Sequence, residues 1–535
     1  MESEPSKPAT ISDRVQFVAR VVVLAIALML LARNLTNLFV GWHEANSALY
    51  SYFARNHIQY GLGYTKLFNT WGDTITPPAV PRRYLHNPPL LAILTTIPML
   101  VFGDHEWVGR SVPIATMLAS VWLLMVIVSR LQSPLLGLLS GFFYVILPIT
   151  AYFGRTLEFI SPVQFFSLLM LHGYLQWTGL YGDGYRRTPG AVYYTLGAVL
   201  GIGTGWAVVI LAGLIWLWHL CRAFGDSSMR RLLLWLTLIP AVSLAAVIIH
   251  MAWGCNWNIS WLVPLFFTRT LAQQDHISWT DWFFKNWEYL SCDITVFGIG
   301  AGVIYLATIP LILRYASLES PLREVVRSKT AVMPILLTAV QGFIWVCAFK
   351  RQSWLHDYWL YFTAPFFAVA MAVIVLAVFA LLAKQLPRAA KWVAFLLVML
   401  PIPFFTNSLD VLHQRGLPES MSDVLVFLKE LPQLVPPRVP VMISEPCPQT
   451  SETFGNYTNY WVSPFIVYYA NRPLIYSTDI NEIQANRELC AAYVMLLTSD
   501  PKLVELAQQL NAKYELAGAH KNFMVFFLNQ PPNGK

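Results

Sequence analysis

The sequence predicts a mainly α, polytopic membrane protein with a small α/β domain at its C-terminal end, and three observations carry that prediction. With 535 residues, 56% of them hydrophobic and 12% charged, and a mean hydropathy of +0.51, the chain has more apolar surface than one soluble core can bury. The apolar residues fall into runs that suit about 11 to 13 membrane helices, joined by short basic connections. After Thr406 the composition turns to mixed polarity. Twenty Trp and 24 Tyr suit rings at headgroup level or between packed helices.

The first apolar run begins at Val21, after Arg20, and ends near Val40 with no small-residue cleavage site behind it, which reads as a retained signal anchor. Arg33 and Asn34 interrupt its outer half, where a long cationic side chain can snorkel. Residues 41–87 then form a first external loop. Apolar runs at Pro89–Phe102, Val108–Val128 and Pro134–Tyr152 lie between two acids, Glu44 and Glu158. Three full crossings would put those acids on opposite faces, so one run must fail to cross if both serve one site; the first is short, and the last carries Pro148. The run Val192–Cys221, interrupted by Gly201, Gly203 and Gly205, is expected to enter and return as two short helices.

Basic connections at Arg186-Arg187, Arg222 with Arg230-Arg231, Arg323 to Lys329, and Lys384 to Lys391 are assigned to the cytoplasm by the positive-inside rule. That leaves the aromatic stretch 255–293, the loop Lys350 to Tyr358 and everything after about Thr406 outside. The expected domains are a membrane unit, 1–405, and an extracytoplasmic α/β unit, 406–535. In the latter, Met421–Leu431 and Leu503–Leu510 have helical spacing, while Val439–Ser444 and Met524–Leu528 read as strands. Pro440 makes the first of these strands an edge or a late start.

Several classes fall away. The net charge of +7 is scattered over connections instead of forming one stripe, so nucleic acid is not an expected partner. There is no CxxC, no HExxH and no Gly-rich phosphate loop. The six cysteines offer two external pairs, Cys255 with Cys292 and Cys447 with Cys490, that could bridge in an oxidising compartment. No internal repeat is visible.

Candidate chemistry concentrates at membrane faces. Glu44 sits just past the first span, where an ionisable group is costly and marks a working site, able to take a proton from an acceptor hydroxyl. Glu158, in Arg155-Thr156-Leu157-Glu158, adds a second acid beside a cation; a structural ion pair is the plainer alternative. Tyr84, His86 and Asn87 precede the proline pair that opens an apolar run, where prolines alone would suffice to start a helix. Lys350, Arg351, His356 and Tyr358, with Asp357, form a dense external cluster suited to an anionic phosphate, unless the two cations merely reach for lipid headgroups.

Taken in order, these motifs carry a resemblance. A W-x-E-A-x-x-A-x-Y setting from Trp42 to Tyr50, Y-x-H-N-P-P-L from Tyr84 to Leu90, F-G-x-x-E-x-x-x-R from Phe102 to Arg110, R-T-L-E at Arg155 to Glu158 and H-D-Y at His356 to Tyr358 together resemble the GT-C glycosyltransferases. Within that superfamily the chain is most similar to the bacterial branch of dolichyl-phosphate-mannose protein mannosyltransferase-like and aminoarabinose transferase-like enzymes. The resemblance covers the first 360 residues and says little of the C-terminal domain. It implies a GT-C fold, a polyprenyl-phosphate sugar donor, an extracytoplasmic site, and inversion at the anomeric carbon as the lipid phosphate leaves.

By the same resemblance Glu44 is the general base and Glu158 positions the acceptor or a divalent cation, Mg or Mn. His86 matches the polar position before the prolines, and His356 with Tyr358 the late motif near the donor phosphate. The chain departs from the pattern in carrying Glu where Asp is commoner, and in placing Asn87 between His86 and the prolines. The expectation is therefore an inverting glycosyltransferase of the bacterial inner membrane that serves a lipid, glycan or protein acceptor. A secondary transporter or flippase, whose intramembrane acids relay protons, is the alternative; the missing repeat counts against it.

Overall fold

The computed structural model describes residues 13–71, 83–182, 187–224, 229–254, 256–258, 260, 262–271, 277–315, 329–385, 392, 401–415, 426, 428–435, 439–444, 452–454, 457–459, 464–496, 501–520 and 523–529. The membrane unit runs α1 (Asp13–Leu31), α2 (Glu44–Thr65), α3 (Leu90–Phe102), α4 (Glu106–Leu131), α5 (Pro134–Ile146), α6 (Pro148–Phe153), α7 (Ile160–Trp177), α8 (Arg187–Thr204), α9 (Ala207–Ala223) and α10 (Arg230–Gly254). It continues with α11 (Leu262–Leu271), α12 (Trp279–Asp293), α13 (Thr295–Tyr315), α14 (Lys329–Ala348), α15 (Lys350–Leu355), a 3-10 turn (Asp357–Thr363), α16 (Ala364–Gln385) and α17 (Pro401–Arg415).

Among the described residues four helices are long and apolar enough to cross a membrane, namely α1, α4, α10 and the continuous Asp357–Leu382 stretch; a fifth span results if α12 and α13, bent by 106°, count as one. The remaining apolar helices are shorter, including α3, α5 and α9. Specific residues shorten them. Leu147-Pro148 divides the third of the runs between the acids into α5 and α6, because proline cannot continue the hydrogen-bond ladder. The first run does not reach Val40: α1 stops at Leu31, and Asn34 takes a left-handed φ of 56°. The carbonyls of Leu35, Asn37 and Leu38 are turned instead onto the Arg110 guanidinium, and that of Arg33 onto Arg155.

The topological conflict between the acids resolves as a short α3, 13 residues, followed by α4 crossing and α5 with α6 returning. Arg110 in the first turns of α4 meets Glu44, and the amide of Leu157 donates to Ser47 Oγ at 2.9 Å, so both acidic segments share one end of the bundle. The glycine-broken run does turn back on itself. Along α8, Gly190 abuts Trp177 and Gly201 abuts Phe166; Gly205 reaches Val163, and His219 on α9 has returned to Tyr174. Glycines let α7 and α8 close to backbone contact, the small-residue device of membrane helix pairs.

The C-terminal unit holds β1 (Val441–Ile443), β2 (Glu452–Phe454), β3 (Tyr457–Asn459), α18 (Pro464–Ala470), β4 (Leu474–Tyr476), α19 (Ile480–Ala485), β5 (Ala492–Leu496), α20 (Pro501–Lys513), β6 (Glu515–His520) and β7 (Phe523–Phe527). Its sheet has the order β4-β1-β5-β7-β6, with β4, β1 and β5 parallel and β7 antiparallel to both β5 and β6. Pro440 gives β1 a late start, not an edge position: β1 lies between β4 and β5, and the Pro440 carbonyl accepts from Ala491. The helix expected at Met421–Leu431 falls mostly outside the described residues, as do Cys255 and Cys447 of the two expected cysteine pairs.

One boundary moves. The division expected at 405/406 is crossed by α17, which packs on α5 and α6 and carries Ser408, Leu412 and Arg415 inward, so residues 406–415 belong to the membrane unit. The two units are latched by charge. Arg55 donates to Asp104 Oδ2 (3.1 Å) and to the carbonyls of Tyr468 (2.8 Å) and Val467 (3.3 Å), while Lys429 pairs with Glu106 at 2.6 Å.

Candidate active site

Where the chain enters α2, the backbone is forced into a tight turn. Gly41 has no room for a side chain, since a Cβ there would lie 2.7 Å from the Arg415 carbonyl and 2.8 Å from Tyr152 Oη. Trp42 N donates to Arg415 O at 2.8 Å, and the single Tyr152 hydroxyl proton lies between the carbonyls of Trp42, 2.7 Å from Oη, and Arg415, 3.0 Å away. His43 then adopts φ 56°, a left-handed conformation uncommon outside glycine. Glu44 begins the helix and faces inward.

The structure changes the reading of Glu44. Its carboxylate is not at a lipid surface; it is 1% exposed and paired with the equally buried Arg110, Oε1 accepting from Nη2 at 3.0 Å and Nε at 3.3 Å. Oε2 is buried without a partner. The segment 33–40, expected to belong to the first apolar run, has instead become the cradle of this ion pair.

A second acid centre, absent from the expected catalytic pair, lies beside it. Asp357 is 3% exposed; its Oδ2 accepts from Trp42 Nε1 at 3.3 Å and pairs with Arg415 Nη2 at 2.9 Å, and its Oδ1 lies 3.3 Å from His43 Nε2 in an ion-pair contact. Arg415 Nη2 also contacts Asp293 Oδ1 at 2.5 Å, at the end of α12. The two carboxylates hold the Arg415 pKa above its ordinary value, against the burial that lowers it. His356 and Tyr358 complete the wall: their rings stack at 5.1 Å and stand 5.1 and 5.0 Å from His43, with Phe153 behind Tyr358 at 5.6 Å.

The other expected residues divide into two groups. Tyr84 and His86 pack ring to ring at 4.6 Å, Asn87 donates to Tyr50 Oη at 2.9 Å, and Glu158 and Tyr358 both lie within electrostatic reach of Tyr50. These residues therefore line the same end of the bundle as His43. Arg155 joins them, its guanidinium 5.7 Å from the Tyr152 ring, which Arg415 also approaches at 5.5 Å. Arg155 Nε and Arg415 Nη1 are both buried and make no hydrogen bond. Lys350 stands apart from the phosphate role expected of it: its ammonium donates to the Ile277 carbonyl and sits 4.4 Å from the Trp279 ring centre. The Arg351 side chain is half-buried.

Glu158 folds back on its own chain, Oε1 accepting from Phe159 N at 3.0 Å. Among the described residues no group of three or more His, Cys, Asp or Glu side chains is placed to hold a metal ion. Beside the polar cluster lies an apolar cavity of about 380 Å³, lined by Trp282, Trp287, Leu336, Phe343, Leu360 and Phe367. Phe343, 66% exposed, opens it to the outer surface of the bundle, and α12 runs from this cavity to Asp293.

Sequence reasoning missed Asp293, Arg415 and the use of His43, quoted Arg110 only as a motif letter, and placed Asp357 in the external polar cluster without a catalytic part. The usable signals were Arg110 at the start of a span and Asp357 inside H-D-Y. Nothing local marks Arg415, 122 residues from Asp293.

This architecture is the GT-C fold of polytopic membrane glycosyltransferases. The chain is similar to ArnT from Cupriavidus metallidurans bound to undecaprenyl phosphate, at a TM-score of 0.63 and 12% identity over 98% of this chain and 100% of that one. The apo state of the same protein gives a TM-score of 0.58 at 14% identity, covering 97% and 99%. AglB, the oligosaccharyltransferase of Archaeoglobus fulgidus, in complex with an inhibitory peptide and a dolichol-phosphate, matches at 0.56 and 14% identity, covering 97% of this chain and 75% of that one. At such identities the likeness establishes the fold. No protein-family model and no curated protein matches the sequence.

Proposed function

We propose that this protein is an inverting glycosyltransferase that moves a sugar from a polyprenyl-phosphate donor to a hydroxyl on a lipid, glycan or protein acceptor. The observation that carries the reading is the convergence of buried acids, histidines and cations from segments 42–44, 152–158, 293, 356–358 and 415 at one end of an apolar helical bundle. A lipid-linked donor needs an apolar groove ending at polar chemistry, and the cavity along α12 ends near Asp293. The relatives of this fold support the donor class, since their structures hold undecaprenyl phosphate and dolichol-phosphate.

Arg155 and Arg415, each with an unpartnered guanidinium nitrogen and each beside the Tyr152 ring, are positioned to take the donor phosphate through charge-assisted bonds as negative charge builds on it. Tyr358 and His356 border the same space, and Glu158, Tyr84, His86 and Asn87 face it from the α2 side as acceptor contacts. No nucleotide is required, because the phosphodiester is already activated. Arg130, Arg187 and Arg222 collect at the opposite end of the bundle: Arg130 is twenty residues along α4 from Arg110, about 30 Å of helix. With basic residues inside, the site faces the periplasm or exterior of a bacterial inner membrane.

The test is purified protein in lipid, given a panel of radiolabelled polyprenyl-phosphate sugars with acceptor-containing membrane extract. Free polyprenyl phosphate is expected from at least one donor, with Arg155→Gln raising the donor KM roughly tenfold or more. No release from any donor overturns the reading in favour of transport.

A further inference from the structure

We propose that His43, oriented by Asp357, is the general base that activates the acceptor hydroxyl, a role the sequence suggested for Glu44; this deepens the glycosyltransferase reading and rests on it. The charge of Glu44 is already engaged. Its Oε1 holds both Nη2 and Nε of Arg110, and both side chains are 1% exposed. The next residue toward the N-terminus is built differently. Its ring keeps 14% exposure, so His43 is the side chain of this turn that a substrate can meet.

Three features hold that ring for the purpose. Nε2 is buried 3.3 Å from Asp357 Oδ1, an ion-pair contact without hydrogen-bond geometry; the carboxylate favours a proton on the near nitrogen, Nε2, which leaves the Nδ1 lone pair as the basic position. Asp357 is itself fixed on its other oxygen by Trp42 Nε1 and Arg415 Nη2, which makes it a positioning residue. The ring plane is set by Trp42 at 4.8 Å, His356 at 5.1 Å and Tyr358 at 5.0 Å. The backbone accepts a left-handed φ of 56° to place this histidine, a strain of the kind that accumulates where function demands a geometry.

In the transfer step the acceptor oxygen bonds to the anomeric carbon as its proton passes to His43 Nδ1. The bond from the anomeric carbon to the phosphate oxygen breaks, and its electron pair leaves with polyprenyl phosphate. The imidazolium faces Asp357 until it returns the proton to water. The titratable and charged groups around His43 are Asp357 and Tyr358 from the 3-10 turn, His356 just before it, Arg415 from α17, Asp293 from α12, Tyr152 from α6, and Glu44 beside it.

His43→Gly is the decisive variant, because glycine accepts the left-handed backbone and leaves a space for free imidazole. Its kcat for release of polyprenyl phosphate is expected to fall by roughly 10²- to 10⁴-fold with donor KM little changed, and added imidazole is expected to restore part of it. The acid limb of the kcat/KM profile of the native protein should vanish in His43→Gly and return with imidazole. His43→Asn, also tolerant of this backbone, should lose kcat without rescue, and Asp357→Asn should lower kcat with intermediate severity. Native turnover combined with undiminished kcat in His43→Gly overturns the dyad alone, as does a loss that imidazole fails to restore in a variant that melts like the native protein. Absence of turnover by the native protein on every donor overturns the glycosyltransferase reading and the dyad with it.

Discussion

Removing the Glu44 carboxylate strands a guanidinium inside the protein. Arg110 is 1% exposed and donates twice to Glu44, at 3.0 and 3.3 Å, and to the carbonyls of Leu35, Asn37 and Leu38 at 2.9, 2.5 and 3.2 Å. At 3.0 Å and an effective dielectric of about 20, the attraction is about 5 kcal/mol, and breaking one side of such a buried pair costs about 3–5 kcal/mol. Glu44→Ala is therefore expected to destabilise by about 3–5 kcal/mol. Glu44→Gln, whose amide oxygen can still accept from Arg110, should lose about half as much. The assay is thermal melting in lipid, comparing Glu44→Ala, Arg110→Met and the double variant. The double variant should lose less than the sum of the two singles, because no buried charge is left over, yet stay below native because the 35–38 carbonyls lose their donor. A Glu44→Ala protein that melts like the native one, or strictly additive losses, would refute the reasoning.

Other perturbations test the scaffold. A Cβ on Gly173 would sit 2.2 Å from Tyr194 N, so Gly173→Ala should cost about 3 kcal/mol despite a helix-propensity gain of about 1 kcal/mol; a raised melting temperature would contradict the packing of α7 on α8. Burial pushes the His57 pKa down to about 4 from 6.5, so the fold favours the neutral ring. That stabilisation is full above pH 6.5 and is lost as pH falls toward 4, by about 3 kcal/mol, and His57→Gln should flatten the melting profile over this window. Arg55→Ala removes the donors that hold Asp104, Val467 and Tyr468, and limited proteolysis should release the C-terminal unit faster; unchanged cleavage would show that the latch does not hold it.

The sequence by itself determined that the chain is a helical membrane protein, because apolar periodicity and length are local properties of twenty or so neighbouring residues. It also led to the expectation that α8 and α9 form a returning pair, since the glycine spacing that permits the turn is written in one short stretch, and that a small α/β unit follows the bundle. It marked the Trp42–Glu44 turn as the place to look. Only the tertiary structure decided what each group there does. Glu44 finds Arg110 66 residues away, Asp357 finds His43 314 residues away, and Arg415 joins Asp293 to Asp357 from a helix that composition alone assigns to the outer domain. Whether a carboxylate meets substrate or an arginine depends on which helices pack together, and that choice is made by the sum of many weak contacts over the whole bundle. No local pattern carries that sum, so the residue types were legible beforehand while their partners were not.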